Sequence, residues 1–362
     1  MKSCYLIGAA LLASTATGAV AQSPMSPNAA PPPPPRAMPT KPAKPAADMQ
    51  AVLDAHAALM PKPIELLTPV KARIQPSAAD ALKKYMRARG LSTAPDPAVT
   101  TQDLPYGSEP MQYARIYKPV AAAGSGPLPV IVYYHGGGWV IADINTYDAT
   151  PRLLSKQLNA IVVSVEYRHA PEAKFPAQHD DSATAYRWVL GNAAAWGGDT
   201  TRLALAGESA GGNLAVATAM YARDNGLTKP VHVLSVYPIA NSSKALPSRR
   251  DSANAKPLNA AMLDWFGYYY STSKADQMDP RINLVKANLR DLPPVTIVNA
   301  EIDPLRSDGD TLASALRSAG VRVEQRTYNG VTHEFFGMGA AVRGAFEAEG
   351  YAVARLKSAF GQ

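Results

Sequence analysis

The sequence predicts an α/β fold, a mostly parallel sheet covered by helices on both faces. Two observations predict it. The strand-like runs are uninterruptedly apolar, as in Pro129-Val-Ile-Val-Tyr-Tyr134, where a half-solvated strand would alternate polar and apolar residues. Such runs also alternate with longer helical stretches from Tyr113 onward, the rhythm of parallel strands joined by crossover helices. No fixed-period repeat is visible, which excludes solenoids and propellers.

The elements follow in order. Lys2, an apolar run over 5–20 and the small-x-small site Ala19-Val20-Ala21 form the pattern of a cleaved export signal, with Gln22 as the expected mature N-terminus. Residues 22–47 hold ten prolines and no aromatic residue, so they read as an extended linker. A globular body is expected over 48–362. Its helices are expected over 48–60 and 77–89, the second stopped by Gly90. Then come a strand at 129–134, a helix at 147–159, a strand at 161–165 and a helix at 178–190. A strand at 202–206 and a helix at 210–224 follow, with further strands at 231–237, 295–299 and 321–327. Helices at 305–319 and 341–359 complete the series, and residues 239–280 interrupt it as an insertion.

Composition bounds the function. The 362 residues are 47% hydrophobic and 18% charged, enough apolar content for a large core. The net charge is +7, but Lys2, Arg36, Lys41 and Lys44 lie in the leader and linker, and removing them leaves +3 on residues 45–362. Nucleic-acid binding therefore has little support. The single cysteine, Cys4, precludes a disulfide framework and a Cys-ligated metal site, and its position ahead of the apolar run argues against a lipid anchor. The run is too short and too rich in Ala, Gly and Thr for a stable membrane helix.

Gly207-Glu208-Ser209-Ala210-Gly211 matches G-x-S-x-G, with a strand before it and a helix after it. That arrangement exposes a serine hydroxyl on a sharp turn at a helix N-terminus. A serine needs a base and an orienting acid. Of the six histidines only His232 and His333 follow Ser209; His232 sits inside an apolar strand, whereas His333 lies in a loop before the last helix. Asp303, 94 residues after Ser209 and 30 before His333, is the expected acid. Glu301 is its rival, and Asp308 and Asp310 are expected to face solvent from a helix. His135-Gly136-Gly137-Gly138-Trp139 follows a strand directly, where its glycines bring backbone N–H groups to an oxyanion. The expected donors are Gly137, Gly138 and Ala210, with His135 and Gly136 supporting the loop. No phosphate-loop signature is present, no cofactor is required, and His179-Asp180-Asp181 points three ways from a helix, so no metal is assigned.

On these motifs, together with Tyr167-Arg-His-Ala-Pro-Glu172, Phe175-Pro176-Ala177 and Asp303-Pro-Leu305, the chain resembles the hormone-sensitive lipase family of bacterial carboxylesterases over residues 50–361. The resemblance implies an α/β-hydrolase fold and a helical cap built from about 48–91 and 239–280. It also implies a small-molecule ester with a short to medium acyl chain. His169 stands where the family usually has Leu, and Glu208 where it commonly has Asp. His169 is expected to be a structural histidine, buried or solvated, with a place on the rim of the site as the alternative. Trp265, Phe266 and Tyr268 to Tyr270 are expected to pack as cap core, with a sugar-stacking surface as the alternative. Two alternatives to a carboxylesterase are a deacetylase of an acetylated carbohydrate or antibiotic, and a non-catalytic ligand-binding protein on the same fold. Oligomeric state is left open, a homodimer being the candidate assembly.

Overall fold

The computed structural model describes Met1, residues 43–122 and residues 126–362. The signal and nearly all of the Pro-rich linker expected from the sequence lie outside the described residues.

Among the described residues the sheet has eight strands: β1 (Val99–Pro105), β2 (Tyr113–Pro119), β3 (Leu128–Tyr134), β4 (Ile161–Val165), β5 (Gly198–Glu208), β6 (His232–Val236), β7 (Val295–Ile302) and β8 (Val323–Thr332). Their spatial order is β1-β2-β4-β3-β5-β6-β7-β8. Strands β3 to β8 run parallel, and β2 pairs antiparallel with both β1 and β4. The β1–β2 hairpin has no apolar run to announce it. β1 is an edge strand whose middle residues are exposed, so its sequence, Val-Thr-Thr-Gln-Asp-Leu-Pro, carries no burial signal.

The central strands β3, β4 and β6 are buried along their whole length. Their side chains divide by the two-residue period of a strand. Val130, Val132 and Tyr134 face the core under α5 (Ala177–Asn192), α6 (Ala210–Asp224) and α10 (Arg306–Ser318). Ile131 and Tyr133 face the opposite core, under α4 (Ala149–Leu158) and α11 (Arg343–Phe360). Continuous apolar strands and helices on both faces are thus one physical fact.

Two further sets of helices lie at the carboxyl ends of the strands. The N-terminal set is α1 (Ala47–Ala57), α2 (Pro69–Arg73) and α3 (Ala78–Arg87). Ser77 and Asp80 form a reciprocal capping box at the start of α3. The insertion folds as α7 (Pro247–Asp251), α8 (Ala260–Tyr270) and α9 (Lys274–Met278). The two sets are joined by the Trp265 Nε1–H, which donates to the Leu67 carbonyl at 2.9 Å. Trp265, Phe266 and Tyr270 are buried, as cap packing requires, while Tyr268 is 74% exposed.

Candidate active site

Ser209 sits between β5 and α6 with φ 56° and ψ −117°, a strained conformation for a residue with a Cβ. The turn closes because its flanking residues have no side chains. A Cβ on Gly207 would strike the Gly211 carbonyl, and one on Gly211 the Tyr134 carbonyl. The Ser209 N–H donates to the Val236 carbonyl at 2.9 Å, which anchors the turn to β6. Ser209 therefore stands at the head of α6, where the partial positive charge of the helix end favours an anion.

Asp303 and His333 are brought together by strand pairing. In the last bridge between β7 and β8, Ile302 lies opposite Thr332 after a register shift near Ala300. The next residue of each strand is Asp303 and His333. His333 Nδ1–H donates to Asp303 Oδ2 at 2.7 Å, and His333 Nε2 lies 3.0 Å from Ser209 Oγ. Asp303 Oδ1 accepts from the Leu305 N–H at 2.8 Å, which fixes the carboxylate plane. Glu301, the rival acid, instead accepts from the Gly330 N–H at 2.7 Å. Burial of His333 acts to lower its pKa. The charge and hydrogen bond of Asp303, with Glu334 and Glu208 behind it, outweigh this and hold the imidazole above its ordinary value.

The loop after β3 carries Gly137 at φ 95° and Gly138 at φ 58°, both in the left-handed region. A Cβ on Gly138 would run into the Phe266 ring of α8. Among the described residues, the Gly137 and Gly138 N–H groups have no backbone acceptor, and the Ala210 N–H, first in its helix, has no intrahelical one. All three residues, with Ser209 and His333, line one cavity of about 1080 Å³. Ile64 from the N-terminal segment and Phe266 from the insertion complete its wall.

His135 at the root of this loop is wholly buried. Its Nδ1 is 2.8 Å from the Gly136 carbonyl and its Nε2 3.2 Å from Glu166 Oε1. Both neighbours only accept, so the ring satisfies both as an imidazolium. Burial opposes that charge, but Glu166 prevails and raises the pKa of His135. Burial likewise acts to raise the pKa of Glu166, and His135 with His169 holds it down at about 2. Glu166 was not singled out from the sequence; its signal was its place directly after β4, beside His135 after β3.

A family model described as the alpha/beta hydrolase fold matches residues 131–337. Carboxylesterase NlhH of Mycobacterium tuberculosis is 38% identical over 292 residues, 78% of this chain and 91% of that protein. The ethyl acetate hydrolase of Pseudomonas putida is 35% identical over 64% of this chain and 74% of its own length. Among solved structures, an esterase of Pyrobaculum calidifontis superposes with a TM-score of 0.73 at 33% identity, covering 84% of this chain and 97% of that one.

The chain belongs to the hormone-sensitive lipase family of the α/β-hydrolases.

Both departures from this family's usual residues are buried here. Glu208 lies beneath the serine turn, accepting hydrogen bonds from the hydroxyls of Tyr133 (2.6 Å) and Tyr237. Burial pushes its pKa up to about 7 against the pull of those bonds. Tyr237 also packs its ring on His333, with centroids 4.5 Å apart. No sequence signal marked Tyr237. His169 is buried with Nε2 3.1 Å from Glu166 Oε1.

The expectation that Asp308 faces solvent is wrong. Asp308 is fully buried, bonded to Arg249 at 2.9 Å and to the N–H groups of Ala240 and Asn241. The helical period places it on the inner face of α10, where it ties the start of the insertion to the body. Asp310, two residues on, is exposed as expected. His232 packs inside β6 against Thr296 Oγ1 at 2.9 Å. The His179-Asp180-Asp181 run points apart: His179 meets Asn213, Asp181 meets Arg168, and Asp180 is exposed.

Proposed function

We propose that the protein is a serine carboxylesterase that hydrolyses small esters through an acyl-enzyme. The observation that carries this reading is the single imidazole bridging Asp303 and Ser209 at the wall of a cavity of about 1080 Å³. Because Asp303 Oδ2 accepts only, it keeps the proton on Nδ1 and leaves Nε2 free as a base. As Ser209 Oγ attacks the ester carbonyl, its proton passes to His333 Nε2. The N–H groups of Gly137, Gly138 and Ala210 take the developing oxyanion. The imidazolium then protonates the departing alcohol, and water repeats the sequence on the acyl-enzyme. No step requires a cofactor.

The residues 48–91 and 239–280 act as the cap, and the acyl chain lies in the cavity they roof. Each added CH₂ gains about 0.8 kcal/mol while apolar room remains. Beyond that, it displaces packed side chains at about 1–3 kcal/mol. Rates on chromogenic esters should rise, peak within short to medium acyl chains and then fall. A panel from acetate to palmitate, with acetylated sugars and emulsified triglyceride, tests this. Full activity on long-chain triglyceride with activation at the interface would refute the cap reading. Stoichiometric labelling of Ser209 by a fluorophosphonate tests the chemistry; an unlabelled, folded protein would favour a non-catalytic binding role. We also propose export, with cleavage after Ala21. Intact mass after periplasmic or secreted expression should start at Gln22, and a product retaining Cys4 would overturn this.

A further inference from the structure

A second cluster of donor side chains lies behind the glycine loop, outside the Ser209–His333–Asp303 centre. The parallel register sets Tyr134 opposite Val165, so the next residues, His135 and Glu166, leave adjacent strands side by side. Three residues on, His169 turns back onto the same carboxylate. Glu166 Oε1 is 3.2 Å from His135 Nε2 and 3.1 Å from His169 Nε2. One donor atom from each residue lies within 4.8 Å of the other two. His135 and Glu166 are wholly buried and His169 is 9% exposed. His169 Nε2 lies 3.1 Å from that carboxylate oxygen but makes no hydrogen bond to it, so the contact is one of charge alone.

We propose that His135, Glu166 and His169 form a binding site for a divalent transition metal of the zinc class. Two imidazoles and a carboxylate are a donor set suited to Zn²⁺ and Co²⁺. Size agrees. Points separated by 3.2, 3.1 and at most 4.8 Å share a centre no more than about 2.4 Å from each. The usual Zn–N and Zn–O lengths are about 2.0–2.2 Å, so the three groups need to close by only a few tenths of an ångström.

The surroundings orient the ligands. His135 Nδ1 is held by the Gly136 carbonyl at 2.8 Å, and the ring stacks on Tyr167 with centroids 4.2 Å apart. Nε2 is therefore the atom presented to the ion. Glu166 Oε2 accepts from the Ile144 N–H at 3.0 Å, which leaves Oε1 to coordinate; a water taken up with the ion would be the fourth ligand, as in other three-residue zinc sites. Binding replaces the proton on His135 Nε2 and gives His169 Nε2 its missing partner. The bound ion would pin the root of the glycine loop without touching Ser209 or His333. The proposal is independent of the ester reaction, and a failure of one leaves the other standing.

The test uses the chelator-stripped, full folded chain, titrated with Co²⁺ and separately with Zn²⁺. Equilibrium dialysis should give one saturable equivalent per chain with Kd below about 10 μM, a range accessible to the method. Cobalt should show the strong visible absorption of a four-coordinate centre, and zinc should raise Tm by mass action. His169→Gln keeps a neutral donor of similar length beside Glu166 and should weaken binding at least ~10-fold, since even an outer-shell partner is worth 10–100-fold. The cobalt spectrum of the unaltered chain needs no variant and stands if His169→Gln fails to fold. No saturable binding up to about 1 mM, a weak six-coordinate cobalt spectrum, or undiminished affinity in folded His169→Gln would each overturn the proposal.

Discussion

Asp303→Asn is the sharpest test of the relay, because the structure dictates how the amide must sit. The Leu305 N–H, 2.8 Å from Oδ1, needs an acceptor, so the Asn oxygen takes that place. The amide NH₂ then faces His333 Nδ1, where the carboxylate oxygen stood at 2.7 Å. An NH₂ there donates, so Nδ1 must accept and the ring proton moves to Nε2. That tautomer cannot take the Ser209 proton. Turning the amide over to restore the tautomer leaves the buried Leu305 N–H unpaired, at about 1–3 kcal/mol. The transition state also loses the buried carboxylate beside a forming imidazolium, about 3–5 kcal/mol when such a pair is broken. Together these give about 4–8 kcal/mol, or roughly 10³- to 10⁶-fold in rate, with about 10⁴ as the central expectation.

The assay is kcat/KM on a short chromogenic ester against pH. In the wild type the imidazolium is inactive and the imidazole active, so activity rises with pH through a value Asp303 holds above the ordinary histidine pKa. Without that carboxylate, burial lowers the His333 pKa against only the weaker pull of Glu334 and Glu208, so the residual activity should rise at lower pH than in the wild type. Circular dichroism should show an unchanged fold. A folded Asp303→Asn within tenfold of wild type, with the same pH limb, would refute the assignment and direct attention back to Glu301.

Ser209→Ala should remove at least ~10⁴-fold of activity in a folded protein, and Ser209→Ala/His333→Ala should be little worse, because the groups act as a unit; a much weaker double variant would contradict this. Gly138→Ala forces a Cβ into the Phe266 ring at φ 58° and should cost about 100–1,000-fold in kcat, measured on the same ester, with a lowered Tm. Glu349, buried on α11 and accepting from the Gly339 N–H at 2.8 Å, has its pKa raised by burial to about 7. The native state thus binds a proton that the unfolded chain has released, so this site loses stability as pH rises from about 4.5 to 7, on the order of 3 kcal/mol in full. Glu349→Gln should accordingly gain Tm relative to wild type between pH 5 and pH 8, and a pH-independent difference would sink this account.

The sequence by itself determined the parallel sheet, because strands buried on both faces must be apolar throughout. It also singled out Ser209, through the two glycines its turn requires, and His333 and Asp303, through chain order. It was silent on β1, whose exposed edge needs no apolar run, and on β2, where Arg115 and Lys118 interrupt the buried Ala114, Ile116 and Tyr117. It misread Asp308, because the polar appearance of α10 does not say which charge finds Arg249 across the fold. Only the tertiary structure decided that Ile302 lies opposite Thr332, and so that Asp303 meets His333. Only the register of β3 on β4 set His135 beside Glu166 and gave His169 a carboxylate to face. The reason is the same in each case. Burial is a property of one residue and leaves a local trace, whereas register and charge pairing join residues far apart in the chain and leave none.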